Sequence, residues 1–481
     1  MRTRTAYHGA AEGRAERPAS TSARVLCIVF GNAEITPSGE DPSARRGFAV
    51  NQTRRQLPAL ALILLVALAL RLSWIAFVHP DPTDGRFDDT AWYRVSAHFF
   101  ANGDGYVNPF TGTPTAGWPP GYPVFLGSIF GLFGEGLAQT YILNAVLSGL
   151  TVLVVYAIGL ILFDRRTALV SAAAMAVWPG QIYFTSLTLS EPLFTLLFSL
   201  AMLLMLLATR VDRGKGAIVL MFGIVTGLAV LTRGQALLLL PLAFIVWGLA
   251  EHRWRPAVGW VMLAAFVVGV MLAPWVARNQ RQLGSPVLLA TNFGVNVWIG
   301  NHDNATGRRN IPEPEAPQPS RLGVTQPQFE VKADNLALRK GLDYMRSHPA
   351  RELQLTLTKV RAMYESDATA LDWNSRYRPG FYASPAAEDW LRAAANGFWF
   401  AAIALSGVGL ISTRARLGGV VGLLPLLVLV WTGTHLLFFG DARFHYPIVF
   451  AIALLGARGL VVLFEALRRP EPNLRRGYAT A

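Results

Sequence analysis

The sequence predicts an all-α polytopic membrane protein, and three observations carry that prediction. Of 481 residues 52% are hydrophobic and only 15% charged, with a mean hydropathy of +0.36; a soluble chain of several domains has a more polar balance. Apolar runs of about 20 residues, the length a helix needs to cross a bilayer, recur along most of the chain. The arginines and lysines between those runs gather at every second connection, the pattern of a multi-pass protein.

Residues 1–56 form a polar tail rich in Arg, Ala, Ser and Pro, expected to be disordered and cytoplasmic. Its one apolar run, Val25 to Phe30, is too short to span or to act as a signal core. Ten candidate spans follow, at about 57–79, 137–163, 167–187, 190–208, 216–232, 235–250, 256–277, 391–412, 418–438 and 444–466. Arg54 and Arg55 precede the first, Arg165 and Arg166 follow the second, Arg210, Arg213 and Lys215 the fourth, and Arg253 and Arg255 the sixth. Arg414 and Arg416 follow the eighth, and Arg468, Arg469, Arg475 and Arg476 the tenth. Both termini are therefore expected in the cytoplasm, the C-terminal tail running over 467–481. The apolar piece Gly121 to Gly134 must not span, because an extra crossing there inverts every later loop; it reads as a re-entrant or interfacial helix.

The expected organisation is an N-terminal membrane module over 57–277 that includes a first external loop at 80–136. An extracytoplasmic loop domain at 278–390 and C-terminal membrane helices at 391–466 complete it. The first loop carries Asp81, Asp84, Asp88, Asp89 and Asp104 against Arg86 and Arg94. The second opens on the Gly/Asn-rich stretch Thr291 to Gly307 and passes through a linker holding Pro312, Pro314, Pro317, Pro319 and Pro327. It ends in helical sequence where Leu353, Leu357, Val360 and Tyr364 recur at spacings of three and four, with Arg351, Lys359 and Arg361 between them. That pattern predicts an amphipathic helix on the outer membrane surface. Spans three and four, and five and six, are joined by tight outward turns holding Ser190-Glu191-Pro192 and Thr232-Arg233-Gly234.

Several function classes fall away. Cys27 is the only cysteine, so an intrachain disulfide framework is excluded. The net charge of +13 comes almost wholly from arginine, lysine supplying only Lys215, Lys332, Lys340 and Lys359, and no basic module with interleaved aromatics suggests nucleic-acid binding. The eight histidines show no H-E-x-x-H spacing, and no phosphate-cradling G-x-x-x-x-G-K-[ST] loop is present.

The chemistry gathers on the outward side. Phe87-Asp88-Asp89-Thr90-Ala91-Trp92-Tyr93 stands at the start of a predicted helix, where paired carboxylates serve as a cap or supply a general base. Adjacent helix positions do not face each other, so the two carboxylates do not act on one atom. Asp88 and Asp89 could ligate Mg2+ or Ca2+ through oxygen, though two carboxylates alone specify neither ion. Thr115 to Tyr122 reads T-A-G-W-P-P-G-Y, structural punctuation whose Trp118 and Tyr122 could line a sugar or lipid pocket. Ionisable residues at the membrane edge attract a functional reading because each is costly unless paired or wet. They are Arg71 in the last third of the first span, Glu191 and Arg233 at the hairpin turns, and Asp441, Arg443 and His445 between the last two spans. Arg71 could instead snorkel, whereas Arg233 and Arg443 are suited to gripping a phosphate with paired hydrogen bonds.

Taken together, residues 57–466 resemble the GT-C membrane glycosyltransferases, specifically the protein O-mannosyltransferase and aminoarabinose-transferase relatives of family 39 type. The resemblance lies in the first span ending in Arg71, the acidic pair with Tyr93, and P-P-G-Y-P in the stretch from Arg94 to Gly134. It extends to S-E-P-L at Ser190 to Leu193, L-T-R at Leu231 to Arg233, G-V-N-V-W-I-G-N at Gly294 to Asn301, and D-A-R-F-H-Y-P at Asp441 to Pro447. It implies a GT-C bundle of about ten transmembrane helices with two long extracytoplasmic loops, and a sugar donor on a polyprenyl phosphate. The acceptor is a hydroxyl on a lipid, glycan or protein, and Asp88 is the base of a single inverting displacement. Asp89 stands where that family often has Glu. Arg233, Arg443 and Arg71 would steady the leaving phosphate, an assignment resting on chemistry and position. The rival is a secondary transporter or flippase, but such proteins place ionisable residues near the midplane on broken helices, and here they crowd the outer face.

Overall fold

The computed structural model describes residues 42–79, 88–211, 213–311, 326–380 and 384–468, with side chains from Leu57 onward and, in the helix opening at Gln326, from Gln328. The chain divides into Met1–Thr53 and Arg54–Ala481. Of the first unit residues 42–53 are described and are helical, earlier than the expected start at 57; the remainder of the expected tail, the proline linker and most of the C-terminal tail lie outside the described residues.

The second unit is helical throughout its ordered elements, and two isolated bridges are the only β pairing among the described residues. The helix α1 (Pro42–Val78) belongs to it from Arg54 onward, followed by α2 (Asp89–Ala101), α3 (Gly121–Phe133), α4 (Leu137–Leu162), α5 (Arg165–Val177), α6 (Glu191–Ala208), α7 (Lys215–Thr232) and α8 (Leu239–Glu251). Then come α9 (Trp254–Leu283), α10 (Phe293–Gly300), α11 (Gln326–Ser347), α12 (Pro349–Tyr364), α13 (Thr369–Tyr377), α14 (Pro385–Ser412), α15 (Leu423–His435) and α16 (Val449–Leu467). Outward leucines such as Leu62 and Leu65 on α1 and Phe266 on α9 are exposed, as lipid-facing side chains must be.

Eight helical stretches among the described residues are long and apolar enough to cross a membrane, not ten. The third expected span is broken: α5 stops at Val177, Trp178 is extended, and Pro179 starts a separate turn. Proline forces its predecessor out of the helical region, which ends α5 after 13 residues; at 1.5 Å per residue that is about 20 Å, short of the ~30 Å hydrocarbon layer. The ninth is shortened to Val420–His435. Its first turn is a 3-10 segment at Val420–Gly422, and Gly422 sits so close to the Leu417 carbonyl that a Cβ would overlap it. The piece expected not to span is the 13-residue α3.

Small residues set the closest helix contacts, as they do where no water is present to drive association. On α14 and α16, Gly409 lies against the Leu455 carbonyl and Gly459 against that of Leu405, and Ser406 donates to the Ile452 carbonyl at 2.8 Å. On α3, Gly121 meets the backbone of Leu231 and Thr232, and Gly127 meets the Ala97 carbonyl, so α3 is wedged between α2 and the end of α7.

The amphipathic helix is α12, and Leu353 and Leu357 are exposed as its pattern predicts. Lys359 is not on that outer face. It is 1% exposed, donating to Asn301 Oδ1 at 2.6 Å and the Leu436 carbonyl at 3.0 Å, and burial lowers its pKa.

A cavity floored by helix ends

Four chain segments bring ionisable side chains to one place, and each does so where a helix starts or stops. Asp88 is the N-cap of α2: its backbone is extended, and Oδ1 accepts from the amides of Thr90 at 3.0 Å and Ala91 at 3.2 Å, satisfying donors that a helix start leaves free. The cap reading of the acidic pair is thus correct for Asp88, which also lines the cavity. Glu191 opens α6, where Pro192 is tolerated in the first turn. Arg233 is the extended residue that ends α7 before the 3-10 turn Gly234–Leu238. Asp441 caps the 3-10 turn Ala442–Ile448 through the Arg443 amide at 2.9 Å.

These charges form one network. Arg443 Nη2 lies 2.7 Å from Asp89 Oδ2, Arg443 Nε 3.9 Å and Arg233 Nη2 2.6 Å from Glu191 Oε1. Glu191 is fully buried, and its close contact with Arg233 is oblique, an ion pair rather than an aligned hydrogen bond. A buried carboxylate between two guanidinium groups cancels part of their mutual repulsion and fixes their spacing. Arg233 Nε also donates to Ser190 Oγ at 3.0 Å, to which the Tyr93 hydroxyl stands at 3.4 Å; burial pushes the Tyr93 phenol up to about 12. Nε and Nη1 of Arg443 are buried without a hydrogen-bond partner, so two donors of this guanidinium stay unspent within the network.

Above this floor lies a cavity of ≈ 1180 Å³. One wall is aromatic: Trp92 and Trp118 have ring centroids 4.0 Å apart, with Phe110 edge-on to Trp92. Trp373 also lines the cavity, under the guanidinium groups of Arg443 at 5.5 Å and Arg376 at 5.3 Å. A second stretch is apolar and includes Leu237, Leu289, Phe293, Ile299, Leu437 and Phe438. Arg308 paired with Glu365, and Arg392 paired with Asp372, also line the cavity.

The structure brings together Asp88, Asp89, Tyr93, Arg233, Asp441 and Arg443 on the cavity lining, with Glu191 bound directly behind them. Trp118 lines it too, while Tyr122 is buried behind Tyr93. Arg71 is elsewhere. Its guanidinium is fully buried and donates to the carbonyls of Ala176 at 2.8 Å, Met175 at 3.1 Å and Ala67 at 2.9 Å, and to Ser148 Oγ at 2.8 Å. It caps the broken end of α5, where a cation meets orphan carbonyls, and four of its five N–H donors are spent there, away from the cavity. His445 likewise points away, to Asp367 Oδ1 at 2.9 Å and the Met363 carbonyl at 2.7 Å. Asp88 and Asp89 face different partners, Tyr377 and Arg443, and no group of three or more His, Cys, Asp or Glu that could hold a metal ion occurs among the described residues.

Sequence reasoning did not find Trp373, Arg376 and Tyr377. They lie on α13, three and four residues apart, and the only signal was an aromatic and basic stripe at helical spacing. Tyr377 donates its hydroxyl to Asp88 Oδ2 at 2.5 Å.

Residues 118–277, a third of the chain, match the sequence profile of the family described as dolichyl-phosphate-mannose-protein mannosyltransferase. The chain is 28% identical over 243 residues to the undecaprenyl phosphate-alpha-4-amino-4-deoxy-L-arabinose arabinosyl transferase of Pseudomonas paraeruginosa, a match covering 47% of this chain and 40% of that protein. The protein of the same name from Edwardsiella ictaluri is 28% identical over 215 residues, covering 40% of this chain and 37% of that one. The chain thus matches about two fifths of the length of these curated relatives. Among solved structures, the archaeal oligosaccharyltransferase AglB from Archaeoglobus fulgidus, in complex with an inhibitory peptide and a dolichol-phosphate, superposes with a TM-score of 0.50. That superposition covers 86% of this chain and 51% of the other at 20% identity. The chain therefore shares the fold of that oligosaccharyltransferase's matched half.

Proposed function

We propose that this protein is a membrane glycosyltransferase that moves a sugar from a polyprenyl-phosphate donor to an acceptor hydroxyl on a lipid, glycan or protein. The observation that carries the reading is a partly exposed carboxylate, Asp88, in the same cavity as two arginines set by one buried glutamate. The names of the curated relatives support the donor class.

The reaction is a single displacement. Asp88 takes the proton of the acceptor hydroxyl as its oxygen bonds to the anomeric carbon; the bond from that carbon to the phosphate oxygen breaks on the opposite face, and polyprenyl phosphate leaves with inversion. Arg233 and the free donors of Arg443 meet the charge gathering on the phosphate. Asp89 and Glu191 hold those arginines in place. The apolar stretch of the lining suits the first prenyl units and the tryptophan wall suits a sugar ring. This reading needs no metal step. In this reading both termini lie in the cytoplasm and the cavity outside, which the arginine pattern between the expected spans supports.

The test is transfer of radiolabelled sugar from polyprenyl-phosphate donors by membranes holding wild type or Asp88→Asn at equal levels. Loss of the base is expected to lower the rate by about 10²–10⁴-fold with insertion unchanged. Full transfer by Asp88→Asn would refute the base assignment, and no transfer by wild type with any such donor would refute the donor class.

A further inference from the structure

Asp88 is held from the far side of the chain. Tyr377, the last residue of α13, donates to its Oδ2 at 2.5 Å, while both donors on Oδ1 come from the start of α2. The next residue, Arg378, donates through Nη1 to the carbonyls of Val78 at 2.7 Å and His79 at 3.3 Å, where α1 ends. One dipeptide of the second external loop thus fastens both the end of α1 and the carboxylate that opens α2. Tyr377 is 6% exposed. Burial first, and then the bond to Asp88, raises its phenol far above the usual range, so it stays a donor at every working pH.

We propose that Tyr377 is the positioning residue for Asp88 in the transfer reaction, fixing the carboxylate plane and leaving the second lone pair of Oδ2 for the acceptor proton. The inference rests on Asp88 being the base. A carboxylate oxygen accepts two hydrogen bonds, and with three donors in place Asp88 cannot rotate about its side-chain bonds. Its hydroxyl also occupies one lone pair of the oxygen that is to take the proton, so Tyr377 sets the direction from which the acceptor hydroxyl can approach. A purely structural hydroxyl would supply neither effect.

The experiment uses the full chain in nanodiscs and two readouts. The first is pH-dependent coupling of Asp88 to glycine ethyl ester by a water-soluble carbodiimide, mapped by peptide mass spectrometry without any sugar donor. Because carbodiimides act on the protonated carboxyl, Tyr377→Phe is expected to move the labelling midpoint up by about one pH unit, the effect of losing one hydrogen bond to a charged group. The second is transfer, where kcat is expected to fall about tenfold or more with donor KM unchanged, and the acid limb of the profile to move by the same interval. Arg378→Gln, which loosens the same helix end, is expected to leave the midpoint in place. An unmoved midpoint in Tyr377→Phe, or an equal movement in Arg378→Gln, overturns the proposal. Retained transfer by Asp88→Asn beside a moved Tyr377→Phe midpoint overturns the base assignment instead, so the two failures are told apart.

Discussion

Arg71 shows how a residue's depth in the sequence can suggest one role while its partners dictate another. Its four hydrogen bonds close the broken end of α5 and tie it to α1 and α4. Replacing it by leucine is expected to destabilise the protein by about 3 kcal/mol or more, since buried carbonyls then lack donors, while donor KM in the remaining folded protein stays at the wild-type value. Thermal unfolding in detergent and a donor titration check this; a raised KM with unchanged stability would return Arg71 to the phosphate site. The sequence placed Arg71 near the outer end of α1 but carried nothing about which neighbour it faces. Asp88, Asp89, Glu191, Arg233, Asp441 and Arg443 were legible because charges at helix ends stand out in an apolar chain and serve little packing purpose there. Tyr377 was not, since an aromatic residue in a polar loop resembles any other until the fold sets its hydroxyl beside Asp88.

At the scale of elements, hydropathy finds an apolar run but not the point where its helix breaks. Eight spans follow from length and composition, whereas the 167–187 run contains Pro179, whose effect on Trp178 divides it. The close contact of α14 with α16 depends on glycine at positions that hydropathy barely weighs. Gly409→Leu is expected to push these helices apart at a cost of about 1–3 kcal/mol or more. Gly407→Leu, two residues earlier on the same helix with nothing near its Cβ position, is expected to be silent. Yield of monodisperse protein and its unfolding temperature measure both, and equal tolerance of the two would mean that the Gly409 contact does not set the packing distance.

Across the whole molecule, Glu330 on α11 clips the second external loop to the first, and Asp334 one turn later ties α11 to α10 within the second loop. Glu330 accepts from Thr115 Oγ1 and the Ala116 amide, both at 2.6 Å, and Asp334 from the Val295 amide at 2.9 Å. Burial raises both carboxyl pKa values, outweighing the donors that lower them. A raised value means the folded protein binds these protons more tightly than the unfolded chain, so their contribution is complete below the ordinary carboxylate range and is lost as pH climbs through the raised values. Hydrogen exchange in α11 and around residues 115–116 is therefore expected to quicken as pH rises through that window, after correction for intrinsic rates, and less so in Glu330→Gln. Tightening on the same rise would show that the amide bonds outweigh burial. Neither contact was visible in the sequence, because Thr115 and Glu330 are 215 positions apart and nothing local marks them as partners. The Tyr377–Arg378 fastening acts over the same scale. Since the end of α1 and Asp88 are both registered from α13, the aim of the carboxylate does not depend on the length of residues 80–87. Substitution or insertion between residues 79 and 88 is therefore expected to leave the carboxylate aimed as it is, so evolution can vary that stretch without moving the group that opens α2.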